Sequence, residues 1–245
     1  MLRSGSSPVA YRIRYDVVDL ENCRFEGSVE IDLICRARTD SITLHAKELH
    51  ISAASVDGVA VESVSFNVED ERVTLGLKAF TAGECTLRIV FAGVLNSDLE
   101  GFYRSFYTDE KGVKRAMAVT QFEATAARRG FPCFDEPSLK ATFALTVVAP
   151  VATSGGGALR VVSNMPLKSS RRCVRPLLGL PGGEGIASQE VEFQTTPVMS
   201  TYLLGLCIGE FDEVATTTAR GVPVRVLTPV GQSERGRFAL DVATR

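Results

Sequence analysis

Apolar and polar residues alternate with a period of two along most of this chain. Tyr11, Ile13, Tyr15 and Val17 form one such run, and Val29, Ile31, Leu33 and Cys35 another, each set between mostly polar neighbours. Because successive side chains of an extended segment leave opposite faces, these runs predict half-buried strands. The alternation returns at Val64, Phe66 and Val68, at Val73, Leu75 and Leu77, at Leu87, Ile89 and Phe91, and at Phe143, Leu145 and Val147. Runs spaced roughly 8–14 residues apart, with turns at Asp57-Gly58 and Ala82-Gly83, predict an all-β fold, a large antiparallel β-sandwich or open barrel. After about Phe211 the pattern changes. A strand is expected over 222–227, a turn at Thr228-Pro229, and a helix over 237–243, where Phe238 and Val242 lie four apart on one face.

Composition narrows the function more than the fold. With 245 residues and 45% hydrophobic content the chain can bury a large core, enough for one big β domain or one domain and the start of another. The balance of 27 basic against 29 acidic residues leaves a net charge of −2, which provides no electrostatic footprint for nucleic acid or a membrane surface. Six cysteines, at 23, 35, 85, 133, 173 and 207, are evenly spread with no CxxC pair, a usage that fits a reducing compartment. No signal-peptide core opens the chain and no run approaches the roughly 18 apolar residues of a membrane span, so a cytoplasmic location is expected.

Candidate chemistry is sparse. A catalytic zinc site needs three protein ligands, and the only histidines are His45 and His50. Their segment is a near miss for an inverted H-x-x-E-H pattern, but five residues apart they differ by about 140° around a helix and fall on opposite faces of a strand. Both are therefore expected to be structural, and no metal ligands are assigned. The glycine-rich stretches 154–157 and 180–185 do not lead into a Lys-Ser or Lys-Thr helix start, so they are expected to be loops, not phosphate cradles.

The most informative segment is 119–143, VTQFEATAARRGFPCFDEPSLKATF. Gln121 and Glu123, two apart on an expected strand, point to one side, with Phe122 and Ala124 on the other. A carboxylate so placed can pair with an ammonium group, a charge-assisted contact of roughly 1.5–3 kcal/mol, and a peptide's free α-amine is one partner. The competing reading is an ordinary solvated glutamate. Pro132 and Pro137 exclude a continuing helix and predict a rigid turn packed by Phe131 and Phe134. Within it, Asp135 and Glu136 are expected to pair with Arg128 or Arg129, and Cys133 to serve as a small hydrophobe with no histidine beside it.

This segment resembles the signature of the zinc aminopeptidases related to puromycin-sensitive aminopeptidase and aminopeptidase N, in which a TQxE-type strand leads into an ARRxFPCFDEP-type turn. Further pieces resemble the family in the same order: Tyr11-Arg12-Ile13, the run from Phe25 to Ile31, Gly101-Phe102-Tyr103-Arg104-Ser105, Met199 to Leu204, Gly209 to Asp212, and Arg220 to Val226. The resemblance implies a saddle-shaped N-terminal β-sandwich domain over 1–211. Over 212–245 it implies the first strand and helix of a thermolysin-like α/β catalytic domain that the chain does not complete. It implies Glu123 as the anchor for the substrate's N-terminal ammonium, with Gln121 beside it lining the first subsite. The family's HExxH zinc ligands and GAMEN-type loop do not occur in this sequence. Zinc is thus expected in a longer enzyme and not on this chain, whose expected partners are a peptide substrate and its own downstream catalytic domain. A non-enzymatic β-sandwich scaffold related to the family is the alternative from a different class. A carbohydrate-binding sandwich is disfavoured by the absence of Trp and by only five Tyr.

Overall fold

The computed structural model describes residues 5–78, 82–109, 111–153, 157–175 and 185–245. Most of the two glycine-rich stretches, residues 154–156 and 180–184, lies outside these, together with 176–179. In chain order the strands are β1 (Ser6–Asp19), β2 (Arg24–Cys35), β3 (Ser41–His45), β4 (Leu49–Val56), β5 (Val59–Ala60), β6 (Ser63–Asn67), β7 (Arg72–Gly76), β8 (Gly83–Val94) and β9 (Gly101–Thr108). They continue as β10 (Lys114–Gln121), β11 (Thr142–Pro150), β12 (Arg160–Ser163), β13 (Leu167–Arg175), β14 (Ile186–Phe193), β15 (Leu206–Gly209), β16 (Phe211–Thr217) and β17 (Pro223–Pro229), before a helix α1 (Gly236–Thr244).

Eight strands form the main sheet in the order β13-β14-β11-β1-β2-β8-β4-β5, alongside a four-stranded sheet β12-β15-β10-β9 and a three-stranded sheet β3-β7-β6. The fold is all-β, as the alternation predicts, with one departure from antiparallel pairing. β1 and β11 run parallel, from Ala10 opposite Thr142 to Tyr15 opposite Val147. Parallel neighbours need a long crossover, and here the chain from β2 to β10 supplies it. An aromatic cluster joins the main sheet to the four-stranded one: Phe102 of β9 lies 5.1 Å from Tyr15 and 5.0 Å from Phe25 between ring centroids. Each large apolar side chain buried here contributes on the order of 1.5–3 kcal/mol, so this cluster is a principal support of the fold.

Three local expectations change. In β1, a bulge between Tyr15 and Val17 inserts one residue against β2, so Val18 and not Val17 enters the core. Val64 and Phe66 alternate on the same face as their partners Leu75 and Val73, but β6 is the outer strand of its sheet, and both are exposed, not half-buried. Val68 falls in the turn after β6 and is exposed as well. The Asp57-Gly58 turn forms as expected, with φ of 49° and 81°, the left-handed pair that a two-residue hairpin requires.

At the C-terminus β16 and β17 make a two-stranded sheet that pairs with none of the larger ones. β17 extends through Thr228 and Pro229, opposite Asp212 and Phe211, so the turn expected at those residues falls just after them, with Gly231 at φ 86°. Gly236 of α1 packs against Val214, Val226 and Thr228 of this hairpin, while Phe238 and Val242 stand exposed.

Candidate functional site

Gln121 is the last residue of β10 and pairs with Gly101 of β9. Glu123 lies just past the strand, in a turn, and its peptide bond to Ala124 is cis. The expected alternation survives for three residues, with Gln121 and Glu123 exposed and Phe122 buried, and then breaks: Ala124 is exposed too, because the turn has begun.

The turn is braced from beneath. Phe122 packs edge-on against Phe131, with ring centroids 6.0 Å apart, and its carbonyl accepts the Ala126 N–H at 2.9 Å. Gly130 is required by this contact, since a Cβ there would lie 2.7 Å from the Phe122 ring. Two tyrosines of β1 hold the segment further along: the Tyr15 hydroxyl donates to the Gly130 carbonyl at 3.1 Å, and the Tyr11 hydroxyl accepts the Phe134 N–H at 3.1 Å. Burial raises both phenols above their ordinary value, so they stay neutral. The alternation places these tyrosines in the core. Their hydroxyl partners, more than a hundred residues away, leave no trace in the local sequence.

Charges around the turn are already matched, except at Glu123. Arg128 is buried, with its Nε 3.0 Å from Asp135 and its Nη1 2.9 Å from Glu71. Lys47 also pairs with Glu71. Arg129 reaches Asp98 at 3.0 Å and Glu48 at 3.3 Å. Burial raises the Asp135 carboxyl, against the pull of Arg128. Burial also acts to raise Glu71, but Lys47 and Arg128 together hold it below the usual carboxylate range. Among the described residues, Glu123 has neither an ion pair nor a side-chain hydrogen bond, and the same holds for the Gln121 amide. The expected pairing of Asp135 with Arg128 is present. A cavity of about 680 Å³ bounded by Val18, Phe106, Val148 and Ile186 among others includes neither Gln121 nor Glu123.

The histidines do not share a strand: His45 is buried at the end of β3 and His50 exposed on β4, in a different sheet. One expectation fails here. His45 exchanges backbone hydrogen bonds with Cys133, at 2.9 and 3.1 Å, so a histidine does stand beside that cysteine, brought in by a contact that spans 88 positions. It is not set up as a base, because its Nδ1 accepts the Asp135 N–H at 3.2 Å. Burial also pushes the Cys133 thiol well up.

Burial, reinforced by Arg128 and Arg72, lowers the His45 pKa to about 4. A folded-state pKa below the unfolded value near 6.5 favours the folded state above pH 6.5, and that contribution is lost as pH falls toward 4. At about 1.4 kcal/mol per pH unit the loss from this residue is at most about 3 kcal/mol, and Asp135, whose carboxyl is raised by burial, acts in the opposite direction. Denaturant unfolding of wild type and His45→Gln between pH 7.5 and 4.5 checks this: the variant should show a flatter pH dependence, and an equal slope in both would exclude His45 as its source.

The chain matches the family model of the peptidase M1 N-terminal domain over residues 7–203. This chain belongs to the peptidase M1 family. It is 41% identical to aminopeptidase M1-B of Oryza sativa subsp. japonica over 98% of its own length and 26% of that protein. Against the puromycin-sensitive aminopeptidase of Caenorhabditis elegans it is 32% identical over 100% of its length and 25% of the relative. Against the alanine/arginine aminopeptidase of Saccharomyces cerevisiae it is 36% identical over 95% and 26% respectively. The peptidase M1 chain described here therefore spans about a quarter of the length of these relatives.

Peptidase M1 aminopeptidases are generally zinc-dependent, and the described residues do not fit that metal. No three His, Cys, Asp or Glu side chains among them gather as ligands, and the Nδ1 of His45 is already occupied. No helix among the described residues is long and apolar enough to cross a membrane.

Proposed function

We propose that this chain is the N-terminal portion of a zinc-dependent aminopeptidase that removes N-terminal residues from peptides, and that Glu123 holds the substrate's α-ammonium. The observation that carries this reading is an exposed, unpartnered carboxylate on a braced turn where both adjacent arginines are already engaged by other acids. A carboxylate kept free in this way meets an ammonium without first breaking an internal ion pair. Gln121, two positions earlier and also exposed, supplies an amide that can line the first subsite. Fixing the leading nitrogen at one point restricts cleavage to the first peptide bond, and such positioning is worth up to roughly 7–11 kcal/mol for well-oriented reactants.

Glu123 lies on an open surface, so the opposite wall of the subsite would come from a catalytic region beyond residue 245, which would also hold the zinc. We place the domain boundary at 211/212. The separate β16-β17 sheet and the exposed Phe238 and Val242 on α1 support a thermolysin-like region that begins there and packs against the rest of itself. Six free cysteines fit a cytoplasmic enzyme, and neither nucleic acid nor a membrane is a partner in this reading.

In the full-length aminopeptidase, Glu123→Gln or Glu123→Ala should lower kcat/KM at least about tenfold, at 1.4 kcal/mol per decade. Steady-state kinetics on an aminoacyl substrate measures it, and unchanged values would refute the anchor.

A further inference from the structure

We propose that Cys35 and Cys85 form a redox-responsive pair that closes to a disulfide across β2 and β8, a modification site separate from the Glu123 surface. Their sulfurs are 4.0 Å apart in the core of the main sheet. In the β2–β8 register Leu33 stands opposite Cys85 and Cys35 opposite Gly83, so the two thiols are diagonal neighbours on one buried face. A disulfide needs a separation of about 2.05 Å, so the sulfurs must approach by roughly 2 Å. Two features leave room for that movement. Cys35 is the last residue of β2, and beyond Arg36, whose N–H still donates to the Gly5 carbonyl at 2.8 Å, the chain leaves the sheet, so local opening is less costly here than in mid-strand. Opposite it, Gly83 has no side chain, and the place a Cβ would occupy has no heavy atom of a described residue within 4 Å.

The chemistry assigns an order to the two thiols. Ser6 Oγ lies 3.1 Å from Cys35 Sγ, where its hydroxyl can donate to a thiolate. Cys35 has this donor beside it, whereas burial, with Cys35 as neighbour, raises the Cys85 thiol, so Cys35 is taken as the initial nucleophile. The oxidant is a small disulfide such as oxidised glutathione. The Cys35 thiolate attacks one of its sulfurs, the S–S bond breaks, and one glutathione leaves as thiolate. Cys85 then loses its proton to solvent, and its sulfur attacks Cys35 Sγ and expels the second glutathione. Two protein thiols are oxidised and one small disulfide is reduced to two thiols. Because both sulfurs are buried, exchange follows opening of the strand end and is slow compared with exchange at exposed thiols.

The test equilibrates the purified chain in native buffer at increasing ratios of oxidised to reduced glutathione, quenches with an alkylating agent, and maps unreduced tryptic peptides by mass spectrometry. The proposal expects a linked species joining peptide 25–36 to peptide 79–88, reversible with dithiothreitol. In Cys85→Ala it expects Cys35 to accumulate instead as a glutathione adduct, and Cys35→Ser to leave no link. Near-ultraviolet circular dichroism of each sample confirms that the fold persists. Free alkylation of both cysteines across the whole range, separate glutathione adducts without a link in wild type, or a link that forms only in urea would each overturn it.

Discussion

Replacing Arg128 with leucine is expected to lower the stability of this domain by about 3–5 kcal/mol, the loss typical of breaking a buried ion pair from one side. The guanidinium is buried, is shared between Asp135 at 3.0 Å and Glu71 at 2.9 Å, and has no water-exposed position from which a substitute could act. Without it, Asp135 remains an unpaired acid in the core, and its carboxyl, already raised by burial, would take up a proton more readily. The loss should therefore be larger near pH 8 than near pH 5, where protonation relieves the buried charge. Arg128→Lys should fall between, since one ammonium cannot serve two carboxylates with the guanidinium's geometry. Urea unfolding at the two pH values measures this, and a change below about 1 kcal/mol would show that the pair carries little of the turn's stability.

The second large effect is expected at Glu123. If Glu123 is the proposed ammonium anchor, charge reversal, Glu123→Lys, would remove a charge-assisted contact of roughly 1.5–3 kcal/mol and set a cation against the incoming ammonium, so kcat/KM of the proposed full-length aminopeptidase should fall at least about a hundredfold. Stability should hardly change, because the wild-type side chain is exposed and, among the described residues, makes no ion pair or hydrogen bond that the substitution could break. That separation distinguishes an anchor from a structural residue. Arg128→Leu is expected to act on folding first, and Glu123→Lys, on the proposed reading, on catalysis alone.

Much of this architecture can be read directly from the chain, because period-2 alternation reports which face a strand buries. Apart from Val17, the runs through Tyr11, Ile31, Ile89 and Leu145 lie in the core where the pattern puts them. Alternation does not report whether a second layer covers the face. Val64 and Phe66 keep phase with Val73 and Leu75 but stay exposed on an outer strand. Nor does it report a bulge, and the extra residue near Val17 shifts every later side chain of β1 by one. β16 carries no alternation that predicts a strand, its burial is partial, and its partner is β17.

At the candidate site the local spacing of Gln121, Phe122 and Glu123 was legible, and so was the Arg128–Asp135 pair, seven positions apart. What the sequence could not supply were contacts between distant segments. Tyr15 reaches Gly130, Glu71 reaches Arg128, and His45 lies beside Cys133, each across more than fifty positions. Those contacts fix the turn that presents Glu123, and no local pattern encodes them.

The central claim is that the Glu123 carboxylate recognises an α-ammonium, and the most direct measurement is inhibition of the full-length aminopeptidase by a matched pair of peptides, one with a free α-amine and one lacking it. For wild type and Glu123→Gln the account predicts that Ki of the amine-bearing peptide rises roughly 10- to 150-fold in the variant, while Ki of the desamino peptide stays within about twofold. Equal shifts for both peptides, or none for either, would contradict it.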